Sequence, residues 1–158
     1  MIYVTVGTMN YTFTRLMEGL ERLPNDLKKE IVAQIGVNDP PKEIKCFRYC
    51  PRSEAMRHID EAELIITHGG STLMEALLKG KRMVAVPRTV KYQEALNDHQ
   101  VHLCQKLAEK DMITFVLDMA DLQKAIERAL GRDRTPAIGG PLPGRFLKLL
   151  KNIETEIK

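Results

Sequence analysis

Short apolar runs, each closed by glycine, proline or a polar loop, alternate along this chain with segments whose apolar residues recur every three or four positions. Residues 2–6, 31–35, 44–47, 64–67, 83–86 and 113–116 read as short buried strands. Phe13, Leu16, Met17, Leu20 and Leu23 mark a helix, with Asn10 or Thr12 as its cap and Pro24-Asn25 as its stop. Residues 53–59, 71–79 and 97–109 supply further helices, and Leu122, Ala125, Ile126 and Leu130 line a last one. Parallel strands need a crossover to connect them, so this order predicts an α/β fold: a single Rossmann-like domain whose parallel sheet is covered by helices on both faces.

The 158 residues suit one domain able to bury a core without disulfides or metal. Its 24 basic and 21 acidic residues are dispersed, without the single-sign block that tracks nucleic acid. No apolar run approaches the roughly 20 residues that span a bilayer, and the strand starting at Ile2 leaves no room for a leader, so a cytoplasmic protein is expected. Cys46, Cys50 and Cys104 lack the spacing of a zinc site and read as free thiols. Residues 1–130 form the expected domain and the Gly/Pro-rich stretch 131–144 a connector. Residues 145–158 carry Phe146, Leu147, Leu149, Leu150, Ile153 and Ile157 on one face of an amphipathic helix, which either packs back on the sheet or docks a partner.

Chemistry concentrates in the loops after the strands, where open α/β sheets bind ligands. At residues 64–76 a strand runs through His68, Gly69, Gly70, Ser71 and Thr72 into a helix. Such a turn offers unpaired backbone N–H groups and the positive end of a helix dipole, which suits a phosphate. Glu75 lies about one turn further on, where its carboxylate reaches vicinal sugar hydroxyls; phosphate and ribose together suggest a nucleotide. Gly7 and Thr8 close the first strand as a second phosphate contact or a plain turn, and residues 87–100 form a long loop rich in charge and amides. Each residue has a plainer reading: His68 satisfying a carbonyl, Arg88 and Lys91 as solvated charge, Asp98 as a helix cap. No G-x-G-x-x-G follows the first strand, no Walker lysine is present, and the carboxylates do not cluster as a metal cage.

Three segments, T-V-G-T at 5–8, H-G-G-S-T-L-M-E-A at 68–76 and P-R-T-V-K-Y-Q-E-A-L-N-D-H-Q at 87–100, together resemble the carboxyl-terminal, donor-binding domain of GT-B glycosyltransferases. The group includes the bacterial peptidoglycan N-acetylglucosaminyltransferase. The resemblance covers roughly residues 1–130 and is greater to the small soluble subunits of split enzymes, those of asparagine-linked glycan assembly and of bacterial exopolysaccharide synthesis. It implies that Glu75 holds the ribose of a UDP-sugar, that Gly69, Gly70, Ser71 and Thr72 hold the diphosphate, that Gly7 and Thr8 close over the phosphates and that His68 lines the cleft. Asp98 and Gln100 would contact the sugar, and Arg88 joins the expected donor-binding set. Asn97 departs from the aspartate common at that position, which leaves the sugar preference open. The implied activity is inverting transfer from a UDP-sugar to a lipid-linked saccharide, without cofactor or metal. A membrane-anchored partner would present the acceptor, recruit this chain to the membrane surface and supply the base, unless His68 serves. A nucleotide-binding or scaffolding subunit without turnover is the alternative, and a sugar-nucleotide epimerase of similar architecture a more distant one.

Overall fold

In the computed structural model, residues 1–132 are described, together with residues 148, 151 and 152. Six parallel strands form one sheet: β1 (Ile2–Thr5), β2 (Ile31–Gln34), β3 (Lys45–Phe47), β4 (Leu64–Thr67), β5 (Arg82–Ala85) and β6 (Thr114–Phe115). Their spatial order is β3-β2-β1-β4-β5-β6, the doubly wound order, in which the direction of strand addition reverses between β1 and β4. Thr5 pairs in register with Gln34 on one side and Thr67 on the other, Gln34 with Phe47, Thr67 with Ala85, and Ala85 with Phe115. The strands therefore finish level, and every loop that leaves a carboxyl end starts from one row.

The helices are α1 (Thr14–Glu21), α2 (Asn25–Lys29), α3 (Arg52–Glu61), α4 (Ser71–Leu78), α5 (His99–Glu109) and α6 (Leu122–Leu130). Because successive strand side chains point to opposite faces, Ile2 and Val4 join Ile66, Val84, Leu16, Leu20 and Ile126 in one core, under α1 and α6. Tyr3 and Ile65 join Leu73, Leu77, Ile59, Cys104 and Leu107 in the other, under α3, α4 and α5. The two-faced α/β domain expected from the sequence is the observed fold.

Local details differ. Neither Asn10 nor Thr12 caps α1: Phe13 occupies that position and makes no side-chain cap. Its N–H goes to the Oδ1 of buried Asn38, whose Nδ2 donates to the Ile35 carbonyl at 2.7 Å. The cap is replaced by a residue 25 positions away, which no local rule anticipates. Helix α2 begins where the first helix was expected to end in a loop; five residues after a proline are too few to show a periodic apolar stripe. Short 3₁₀ turns at Val90–Tyr92 and Met119–Asp121 were also not foreseen. The connector and the amphipathic helix expected beyond Leu130 lie outside the described residues, apart from the few positions named above.

Candidate functional site

Between the ends of β1 and β4 lies an open cleft of about 400 Å³. From β1 come Thr5, Gly7 and Thr8; from β4 come His68 and Gly70, followed by Ser71, Thr72 and Glu75 of α4; Gln100 of α5 completes that wall. Thus Gly7, Thr8, His68, Gly70, Ser71, Thr72, Glu75 and Gln100, all singled out from the sequence, meet in one cavity. Gly69 stands between His68 and Gly70 at φ +91°, where an added Cβ would lie 2.9 Å from Cys104 Sγ.

His68 organises this junction. Its ring is wedged against two glycines: a Cβ on Gly7 would stand 2.6 Å from Cε1, and one on Gly70 would stand 2.5 Å from Nε2. Gly7 also has φ +74°, a region that side chains disfavour. The ring is 5% exposed, and its Nδ1 is buried without a hydrogen-bond partner. Burial pushes the imidazole down to about 4; the nearby Arg88 cation acts in the same direction and the Thr5 backbone in the opposite one. At neutral pH His68 is an uncharged polar wall, so a phosphate here must draw its positive charge from elsewhere.

Between pH 6.5 and 4 the unfolded chain binds a proton at His68 that the folded chain does not, so stability is full above 6.5 and falls as the solution is acidified. We expect a loss of about 2 kcal/mol between pH 7 and pH 5 from this residue. Urea unfolding of the wild type and of His68→Gln at the two pH values measures it: the variant should lose less, and equal losses would refute the assignment.

On the β1 side a relay sets the loop. Tyr3 Oη and Thr5 Oγ1 donate to Gln34 Oε1 at 3.2 and 2.9 Å, and Thr5 Oγ1 accepts the Gly7 N–H at 3.3 Å. On the β4 side Gly70 stands at the α4 cap and brings no side-chain hydrogen bond to the helix start. Glu75 faces the cleft with Oε1 2.5 Å from Arg52 Nη2, and Gln100 Oε1 is buried without a partner.

Two expected donor contacts lie elsewhere. Arg88 is fully buried and does not line the cleft; its guanidinium donates to the carbonyls of Val6, Tyr11 and Thr12. Asp98 stands just before α5 but makes no cap bond there; its Oδ1 accepts the Val90 N–H at 2.9 Å, and the residue borders a neighbouring depression with Thr89 and Lys91. The sequence reading missed Arg52, Cys50, Ala55, Met56 and Gln34, which form the opposite wall. They follow from the same rule about strand ends, applied to β2 and β3: the connection after β3 crosses the row of strand ends because its next strand, β4, lies beyond β1. Arg52, 78% exposed in its side chain, is the permanent cation of the cleft. Among the described residues no three His, Cys, Asp or Glu side chains gather as a metal site, and no helix is long and apolar enough to cross a membrane.

No curated protein matches this chain by sequence. Among solved structures, the glycotransferase of kitacinnamycin superposes with a TM-score of 0.60 at 17% identity, covering 98% of this chain and 39% of that one. The UDP-GlcNAc 2-epimerase of Methanocaldococcus jannaschii, solved with UDP-GlcNAc and UDP, gives 0.61 at 16% identity, covering 96% and 45%. The glycosyltransferase SnogD from Streptomyces nogalater gives 0.58 at 19%, covering 97% and 39%. At these identities the likeness is one of fold, and the chain spans less than half the length of each. The family model for the glycosyltransferase family 28 C-terminal domain matches residues 1–137. The chain therefore belongs to the glycosyltransferase family 28 C-terminal domain family, with the architecture of one half of a GT-B fold.

Proposed function

We propose that this domain is the donor-binding half of an inverting glycosyltransferase that moves a hexose from a UDP-sugar to a lipid-linked saccharide. The observation that carries the reading is the cleft itself: an uncapped helix start at Gly70 with Glu75 one turn further in, at the strand-order reversal between β1 and β4. A diphosphate at the helix start puts the ribose within reach of Glu75 and the base towards Ala55 and Met56. Gln100 Oε1, buried and unpartnered, is an acceptor for a sugar hydroxyl. UDP-sugar chemistry also agrees with the epimerase of the same fold, which was solved with UDP-GlcNAc.

In the reaction the acceptor hydroxyl oxygen forms a bond to the anomeric carbon as the bond from that carbon to the UDP oxygen breaks. The hydroxyl proton passes to a base, and UDP leaves with the bonding electrons. This chain's task is to hold the leaving diphosphate where its developing charge meets the α4 N-terminus and Arg52, fixed dipoles and charge that need no divalent ion. Neutral His68 shapes that site without adding charge. The acceptor and the base are assigned to a second, membrane-anchored polypeptide that recruits this chain to the membrane surface from the cytoplasm. Supporting this, the exposed large hydrophobics among the described residues, Met9, Tyr49, Val90, Tyr92, Leu96 and Leu117, all lie in connections leaving carboxyl ends of the strands, and Met9 lines the cleft itself.

Calorimetric titration of UDP and UDP-sugars in chelator, into wild type and Glu75→Ala, tests the donor site. We expect metal-free binding by the wild type and at least about a tenfold loss in the variant, the cost of removing a charged hydrogen-bond acceptor. Unchanged binding in Glu75→Ala would overturn the placement of the ribose, and binding that returns only with a divalent ion would overturn the metal-free reading. Transfer by the reconstituted pair that survives Glu75→Ala would favour a scaffolding subunit instead.

A further inference from the structure

We infer that Arg88 is a positioning residue for the phosphate end of the cleft: one buried guanidinium holds both ends of the loop formed by residues 7–10. The inference rests on the nucleotide-binding reading above and extends it to a residue that lines no part of the cleft.

Arg88 Nη2 donates to the Val6 carbonyl at 3.0 Å, immediately before Gly7. Its Nη1 donates to the carbonyls of Tyr11 and Thr12, each at 3.1 Å, immediately after the loop. Between these anchors Thr8, Met9 and Asn10 are exposed and belong to no helix or strand. Gly7, in its left-handed conformation, is held against the His68 ring. The guanidinium lies 4.8 Å from the centre of the Phe13 ring, and its Nε is buried without a partner. A planar fork with donors on separate nitrogens spans two backbone segments at fixed separation; a lysine ammonium has no such fork. Arg88 thereby fixes the gap between the 7–10 loop and the start of α4, the space a diphosphate would occupy. It also places a positive charge behind that space without touching the ligand.

Titration of the full chain with UDP and with uridine, followed by NMR chemical shifts, separates this role from a merely structural one. Arg88→Lys keeps one basic nitrogen and loses the fork. We expect UDP to bind about tenfold or more weakly to the variant while uridine changes by less than about twofold. Equal losses for the two ligands, or no loss of UDP affinity, would overturn the inference. A second readout needs no variant: the Arg88 Nε–H resonance of the wild type should move on adding UDP and stay in place on adding uridine, and a resonance indifferent to both would count against the role. A wild type that binds neither ligand refutes the nucleotide reading itself. One that binds uridine as tightly as UDP refutes only the phosphate site that Arg88 is said to position.

Discussion

Gly70→Ala is expected to weaken UDP binding by about a hundredfold. The substitution is tolerable to the backbone, since Gly70 has φ −84° and ψ −158°, an extended conformation open to any residue. The penalty is steric. The new methyl would stand 2.5 Å from His68 Nε2 and 2.9 Å from Cε1, on a ring edge that Gly7 already crowds. Either the ring or the first residues of α4 must move, and both displace the phosphate subsite; overpacking of this kind costs about 1–3 kcal/mol of stability as well. The double variant Gly70→Ala with His68→Ala removes the opposing ring and should recover the stability, so a double-mutant cycle isolates the contact. Wild-type UDP affinity in Gly70→Ala would show that the ring is not the wedge described.

A larger effect on stability is expected for Glu94→Ala. Glu94 is 3% exposed and binds Arg15 in two places, Nε at 3.1 Å and Nη2 at 2.9 Å, while its Oε2 also accepts the Thr89 N–H at 3.0 Å. Arg15 continues to the carbonyls of Pro87 and Leu117 and lies over the Phe13 and Tyr92 rings. Removing the carboxylate strands the largely buried Arg15 guanidinium and takes a nearby negative charge from buried Arg88. Stranding buried charge in this way costs about 3–5 kcal/mol, which for a chain of this size lowers the melting temperature by about 10 °C. Thermal unfolding measures it, and a shift of about 1 °C or less would mean that solvent already screens the pair.

Both predictions concern residues whose importance the sequence states unevenly. The glycines at 69 and 70 announce themselves, because a Gly-Gly turn between an apolar strand and an apolar helix has few uses, and the same local punctuation makes the order of strands and helices readable. Period, turn chemistry and strand-end placement are properties of neighbouring residues. They sufficed for the parallel sheet, its two-faced core and the position of Gly7, Thr8, His68, Ser71, Thr72 and Glu75 around one cleft, while Gln100 entered through the family resemblance.

The tertiary structure decided which charged groups face that cleft. Arg88 has the composition of a phosphate ligand and the surroundings of a buried staple, because its acceptors come from residues 76, 77 and 82 positions earlier. Asp98 and Gln100 are two positions apart, yet one binds the Val90 N–H and the other lines the cleft, since Asp98 stands outside α5 with non-helical backbone and Gln100 within its first turn. Arg52 carries no motif and reaches Glu75 only because the connection after β3 passes β2 and β1 on its way to β4. The sequence by itself determined the order of strands and longer helices and the glycine turns at the strand ends, which depend on interactions within a few residues. The fate of each long polar side chain depends on which distant backbone comes within hydrogen-bonding reach, and only the folded chain specifies that.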